Sequence, residues 1–370
     1  MIGLRVPSAV FLPVILVAAL AVPACAQTEP QLDKIRMPQG FRIEVFARVP
    51  DARSLAVAPE LKGVFIANRR RDAVHLAVDS DRDGRADEVR RVISGLNSPN
   101  GIAWKDGHLY IGEQHRVIRL ALPNVGAIER AKPEVVMEGL PDKSHHGWRY
   151  AGFDPRVRLH VAVGSPCNIC EPRGIEGTII RLDNGRPVVV AHGIRNSVGF
   201  DWHPKTGRLY FTDNGADNMG DDSPPDELNM LEREGQHFGF PYYGGGGDKT
   251  REFGARASAD MVPPVVGFGA HVAALGVHFY RGRQFPEEYR TDAFVAQHGS
   301  WNRSVPDGYR LMRVKMDADG KVSGLEPFAE GWLQDRRAWG RPVDVKELPD
   351  GSLVVSDDYA GLIYRISYTR

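Results

Sequence analysis

One phrase recurs six times along the chain, and it constrains the fold more than any other feature. An apolar strand leads into a turn carrying Asp, Gly or Pro. A second apolar strand follows, and in most copies a third closes on an apolar–Arg–apolar step. The copies open at Ser54-Leu55-Ala56-Val57, Gly101-Ile102-Ala103-Trp104, Ala151-Gly152-Phe153, Val198-Gly199-Phe200, Gly276-Val277-His278-Phe279 and Pro342-Val343-Asp344-Val345. Short antiparallel strands repeating every ~45 to 60 residues are the signature of blades stacked in a ring, because one small sheet cannot bury both its faces alone. The expected fold is therefore all-β, a six-bladed β-propeller. The strand Phe41–Phe46 is expected to join the last blade beside the C-terminal strand and close the ring. A β-sandwich would not generate six similar phrases.

The spacing breaks once, between Leu209 and Ala293, where the excess is polar and glycine-rich. Long insertions on a rigid scaffold often carry function. Part of the stretch Gly244–Thr250 reads as a mobile surface loop.

Composition narrows the function classes. Lys plus Arg equals Asp plus Glu at 47 each, so no basic excess points to nucleic acid or anionic lipid. The stretch Val10–Val22, after Arg5 and before Ala24-Cys25-Ala26, reads as a signal peptide over residues 1–26, followed by one propeller domain over 27–370. The expected location is periplasmic or secreted; lipid anchoring at Cys25 is the less favoured alternative. No later segment is long and apolar enough to span a bilayer. Of three cysteines, Cys167 and Cys170 would remain, and in an oxidising compartment a C-x-x-C pair without a second pair reads as a local disulfide rather than a zinc site.

Several polar segments interrupt the strands. His145 and His146, in Ser144–Arg149, stand before the third repeat, and imidazole is the side chain suited to proton abstraction near neutral pH. Arg195 and Asn196 open the fourth repeat with donors for an anionic or carbonyl-rich ligand. The acidic, glycine-rich run Asp213–Asn229 suits a hard cation. His298-Gly299-Ser300-Trp301-Asn302-Arg303 interrupts the fifth repeat and Arg341 opens the sixth. Arg195, Arg303 and Arg341 thus arise on loops that a propeller brings toward one axis, where they could surround one anion. Separately, Asp79, Asp81, Asp83 and Asp87 form a loop that begins like a calcium loop but has Arg90 at the twelfth position; a structural calcium site at a hairpin tip and a solvated turn are both open.

Taken in order, Leu96–Gly101, His145–Arg149, Gly193–Asn196, Asp213–Gly215, Pro225–Asn229, His298–Arg303 and Gly340-Arg341 with Asp344 resemble the glucose/sorbosone dehydrogenase family of pyrroloquinoline quinone (PQQ)-dependent sugar dehydrogenases, most of all its sorbosone dehydrogenase-like branch. The resemblance implies PQQ over the channel mouth and Ca²⁺ held by backbone carbonyls near Gly215 and Ala216. It implies His145, four residues before Arg149, as the base and Arg195 as the group that polarises the quinone oxygen. It implies Asn100, Asn196 and Arg341 as cofactor contacts. Several cations and Ca²⁺ would offset the three carboxylates of PQQ. The implied reaction oxidises a sugar or aldehyde hydrate, of aldose or sorbosone type, with electrons passed to a separate acceptor. The chain departs from the family where Val343 stands in place of a second Arg and where the His298–Arg303 segment replaces a phrase carrying a cofactor-contacting Lys; Arg303 is expected to compensate. A metal-dependent lactonase and a non-catalytic binding propeller are the competing readings, since fold alone does not decide function.

Overall fold

A computed structural model describes residue 3 and residues 29–369; apart from Gly3, the leader predicted over 1–26, with Cys25, lies outside the described residues. The fold is a six-bladed β-propeller. Blade 1 runs through Leu55–Ala58, Gly63–Asn68, Ala73–Val78 and Glu88–Ser94, and blade 2 through Ile102–Lys105, His108–Gly112, Arg116–Ala121 and Glu134–Glu138. Blade 3 is Ala151–Phe153, Leu159–Val163, Thr178–Asp183 and Arg186–His192. Blade 4 is Phe200–Trp202, Leu209–Asp213, Pro225–Leu231 and Val266–Ala270. Blade 5 comprises Ala274–Phe279, Ala293–Gln297, Arg310–Met316 and Val322–Glu330. Each of the six sequence phrases thus corresponds to one blade.

Blade 6 has three strands from the C-terminus, Pro342–Glu347, Leu353–Asp357 and Leu362–Tyr368. Its fourth is the N-terminal strand Phe41–Arg48, paired antiparallel with Leu362–Tyr368 from Phe41↔Tyr368 to Arg48↔Leu362. The two ends of the chain therefore complete one sheet. Ahead of that strand, Arg36 exchanges backbone hydrogen bonds with Glu330 of blade 5, at 2.8 and 3.1 Å. The N-terminal segment clasps both blades at the seam.

The core is divided in the same way. One apolar cluster fills each space between neighbouring blades, including the space between blades 6 and 1, where Phe46, Leu55, Val64 and Ile363 meet. Burying both faces of every sheet is what makes the ring stable where a lone blade is not. Toward the axis the blades converge, and glycine just before or within the inner strand permits it. A Cβ on Gly199 would sit 2.1 Å from the Leu275 carbonyl oxygen of the next blade, and one on Gly276 would sit 2.3 Å from an Asp344 oxygen.

The insertion in blade 4 is not a loose loop. Gln236–His237 adds in parallel to the outer strand of blade 3, and Tyr243–Gly245 pairs with Asp248–Lys249 as a hairpin. Gly244, Gly245 and Thr250 are buried while Gly247 and Lys249 are exposed, so the stretch read in part as a mobile loop is a paired hairpin with an exposed tip. Apolar side chains are scarce there, but backbone hydrogen bonds replace them: the Thr250 N–H donates to the Tyr242 carbonyl at 3.0 Å, and Thr250 Oγ1 adds a bond to the Pro241 carbonyl at 2.7 Å.

The seam gives a direct test. Phe41 lies 4.7–5.1 Å from the rings of Phe285, Tyr289, Phe328 and Tyr368, edge-on to each. Phe41→Ala is expected to lower the free energy of unfolding by about 3 kcal/mol in urea titrations. A change near zero would show that the seam does not limit stability.

Candidate functional site

Each blade sends two segments to one face of the ring: the chain entering its innermost strand, and the turn joining its second and third strands. In an antiparallel blade both lie at the same end of the strands. On this face they enclose a cavity of about 350 Å³. The entry segments supply Arg53, Trp148, Arg195, Asn196 and Arg341; the turns supply Arg69, Arg70, Gly215, Asp217, His298 and Asp358. Five arginines thus face three carboxylates, those of Asp217, Asp226 and Asp358.

Arg195 is 3% exposed and is held from several sides. Its Nε and Nη2 donate to the Asn168 carbonyl and Oδ1 (3.0 and 2.7 Å). Nη2 also meets Asp217 Oδ2 (2.9 Å), and Nη1 donates to the Asn214 carbonyl (3.1 Å). Burial lowers the Arg195 pKa, and nearby carboxylates oppose that shift. Asn168 sits between Cys167 and Cys170, which are joined as a disulfide. The small disulfide loop, legible in the sequence only as a staple, positions the Asn168 groups that aim Arg195.

Below Arg195 lie buried acids. Asp213 accepts the backbone N–H groups of Arg195 and Asn196 (2.8 and 2.6 Å). Asp226 accepts those of Gly215 and Ala274 (2.8 and 3.3 Å). Burial raises the Asp226 carboxyl to about 6 and pushes Asp213 and its neighbour Glu227 up as well. These side chains shape the turn Asn214–Asp217 by accepting its backbone and that of the entry segment. Gly215 lines the cavity; Ala216 is fully buried and donates its N–H to the Gly244 carbonyl at 2.7 Å. The glycine tract of the insertion therefore braces the turn from behind. Neither the Gly215 nor the Ala216 carbonyl accepts a hydrogen bond among the described residues.

The two histidines differ. His145 is exposed and does not line the cavity, whereas His146 is buried, lines it, and has its ring 4.1 Å from that of His145. His146 Nδ1 lies 3.0 Å from the Ser165 carbonyl oxygen. A carbonyl only accepts, so Nδ1 carries the proton and Nε2 is left as the acceptor. Burial and the Arg195 charge push both imidazoles below 6.5, His146 further. A third histidine, His298, bonds Asp358 Oδ1 through Nε2 at 2.7 Å, and Asp358 Oδ2 takes Arg53 Nη1 at 2.9 Å. Burial opposes ionisation of Asp358, but His298 and Arg53 outweigh it and hold the carboxyl well below its usual range.

The remaining predicted residues fall as follows. Asn196 and Arg341 line the cavity. Arg341 spends Nε and Nη2 on the carbonyls of His298, Gly299 and Ser300 (2.7–3.0 Å), leaving Nη1 without a partner among the described residues. Asn100 is fully buried, outside the cavity lining, and accepts Arg53 Nε at 3.3 Å. Arg303 is also outside the lining; its guanidinium is committed to the carbonyls of Asp221 and Ala270 and to Asp222. Arg303 is therefore not among the cations that face the cavity, where it was expected to compensate for the missing one. Asp79, Asp81 and Asp87 bring carboxylate oxygens within 4.8 Å of one another at the tip of the hairpin joining the last two strands of blade 1, away from the cavity. Asp83 is not in that group and instead accepts the Arg85 N–H at 2.8 Å. Sequence reasoning did not single out Arg53, Arg69, Arg70 or Asp358. Arg53 enters blade 1 as Arg341 enters blade 6, so the repeat phase itself was the available signal.

The fit of a cofactor to this cavity rests on the donors that line it. Arg53 Nη2, Arg69 Nη1 and Asn196 Oδ1 are buried without partners among the described residues, and buried polar atoms are rarely left so. Together with the surplus of guanidinium groups and two free carbonyls, they fit a planar polycarboxylate with an accompanying hard cation.

The sequence profile of the TrAA12-like family matches residues 182–368. An uncharacterized protein of Borreliella burgdorferi is 33% identical across 91% of each chain. The PQQ-dependent pyranose dehydrogenase of Coprinopsis cinerea is 31% identical, over 30% of this chain and 17% of that protein. Among solved structures, a calcium structure of the Trichoderma reesei carbohydrate-active enzyme family AA12 protein superposes with a TM-score of 0.79 at 19% identity, covering 93% of this chain and 100% of that one. The holo PQQ domain of the Coprinopsis cinerea pyranose dehydrogenase superposes at 0.76 and 18%, covering 90% and 97%. The chain belongs to the TrAA12-like family and is a distant homologue of the PQQ-dependent sugar dehydrogenases.

Proposed function

We propose that the chain is a PQQ- and Ca²⁺-dependent dehydrogenase that oxidises a sugar or aldehyde hydrate, acting in the periplasm or outside the cell and passing electrons to a separate acceptor. The observation that carries this reading is the cavity at the channel mouth, where five arginines outnumber the carboxylates and unpartnered buried donors remain.

Bound PQQ would supply a two-electron acceptor for the hydride leaving the substrate carbon. The chain would do the rest. Arg341 and Asn196 would hold cofactor polar groups, and the Gly215 and Ala216 carbonyls would hold Ca²⁺. Arg195, fixed by Asn168 and Asp217, would place positive charge where negative charge develops. The substrate hydroxyl proton would pass to a histidine of the 145–146 pair. Motif spacing singles out His145, but the geometry favours His146, whose Nδ1 contact with Ser165 leaves Nε2 as the lone-pair nitrogen. Trp301, 72% exposed beside the cavity, offers a flat apolar face for a sugar ring. The Asp79–Asp81–Asp87 group is proposed as a separate structural Ca²⁺ site.

Reconstitution tests the reading. Chain purified without cofactor, then given PQQ and Ca²⁺, is expected to reduce an artificial dye with aldoses, sorbosone or simple aldehydes, and not without PQQ. His146→Ala is expected to lower turnover by about 10²–10⁴-fold with His145→Ala less affected; the reverse order would return the base to His145. No PQQ binding at micromolar concentration would reject the proposal.

The pH profile gives a second test. The base must be neutral, and both imidazoles are held below 6.5. kcat/KM is therefore expected to stay level as pH falls through 6.5 and to drop only at lower pH. An acid limb centred above 6.5 would contradict the site's electrostatics.

A further inference from the structure

We propose that Arg53 and Arg69 of blade 1, backed by the Trp148 ring, form a clamp for one carboxylate of the bound polycarboxylate cofactor and take over the role of the cation missing at Val343. The inference rests on the PQQ reading above and assigns to that site residues from a different blade.

Val343 is 2% exposed and belongs to a small apolar cluster with Val198 and Leu275, against which Trp148 packs. A guanidinium at that position would lie in an apolar floor. Trp148, at the entry to blade 3, instead lies beneath cations that arrive from blade 1. The Arg69 guanidinium sits 4.0 Å from the Trp148 ring centroid and that of Arg53 at 5.5 Å. Stacking on an aromatic face holds a guanidinium while leaving its in-plane donors free.

Several of those donors are unused. Arg53 is 2% exposed; Nη1 meets Asp358 and Nε meets Asn100, but Nη2 has no partner among the described residues. Arg69 makes no side-chain hydrogen bond or ion pair among the described residues, and its Nη1 is a buried, unpartnered donor. Both residues line the cavity. Burial, then the neighbouring Arg53 and Arg70, pull the Arg69 pKa down to about 9. Two like charges have thus been stacked on one ring and partly stripped of water, with Asp358 bonded to Arg53 but not to Arg69, and no anion bonded to Arg69 among the described residues. An arrangement of this kind costs stability unless a ligand completes it. Oxygens of one carboxylate could take the two free N–H groups.

The experiment uses the chain free of cofactor and follows binding by titration calorimetry, with no turnover required. Two probes are compared: PQQ with Ca²⁺, and benzene-1,2,4-tricarboxylate, a redox-inert planar polycarboxylate. Arg69→Gln is expected to weaken both by roughly ten- to a hundredfold, the loss of a charged hydrogen bond, while the unliganded melting temperature stays level or rises as the like-charge repulsion is relieved. Arg69→Lys, which keeps the charge but loses the planar fork, is expected to fall between the two and guards against a folding failure in the first variant. PQQ binding that is unchanged in Arg69→Gln would overturn the clamp and leave the cofactor reading intact. Arg69-dependent binding of the tricarboxylate with no binding of PQQ would keep an anion clamp and reject the cofactor. Binding of neither probe by the unaltered chain would reject both.

Discussion

Pairing of the N-terminal strand Phe41–Arg48 with the C-terminal strand Leu362–Tyr368 is the interaction on which the rest of the molecule depends. Without it, blade 6 would expose an unpaired edge, and the space between blades 6 and 1 would lose Phe46 and Ala47 from its apolar filling. Closure also fixes the active face. Entry segments and inter-strand turns from distant parts of the chain meet over the axis only when the ring is complete. The Arg53–Asp358 pair is the clearest case, joining blade 1 to blade 6 across the seam.

A closed ring can hold charges that would not gather otherwise. Arg195 is almost wholly buried, and three carboxyls beneath it are pushed upward by burial. Their positions are set by backbone N–H groups and by packing of the blades rather than by mutual attraction alone. Preorganisation of this kind places donors before the ligand arrives, so little reorganisation is needed when charge develops. The disulfide loop through Asn168 and the glycine hairpin behind Ala216 do the same task at second remove: each fixes a turn whose polar atoms line the site.

The fold was legible because its signal is repeated. Each apolar phrase is weak alone, but six in register leave little else for the chain to form. Site residues were legible in proportion to how directly their chemistry lies in a local motif. Arg195, Asn196 and Arg341 stand at blade entrances, and the structure brings them to one cavity. His145 and His146 are adjacent in sequence, yet which of them faces the cavity depends on a backbone turn at His146, whose φ is +49°, and spacing alone does not reveal it. Arg303 shares a motif with cavity residues, but the acidic turn Asp221–Asp222 captures its guanidinium. Asn100 was singled out by its phrase and is buried under Arg53. Conversely, Arg69 and Asp358 belong to no recognisable phrase, and Arg53 is marked only by its place at a blade entrance; they become neighbours only through the ring. Part of the Gly244–Thr250 stretch read as mobile, while its order comes from backbone hydrogen bonds that composition does not display.

The central claim is that this cavity is a cofactor site. The most direct measurement is a crystal structure of the chain grown with PQQ and Ca²⁺. The account predicts a planar molecule within the cavity, in contact with Arg195 and Arg341, and a metal ion on the carbonyls of Gly215 and Ala216. An empty cavity at saturating PQQ, or PQQ bound elsewhere on the ring, would contradict it.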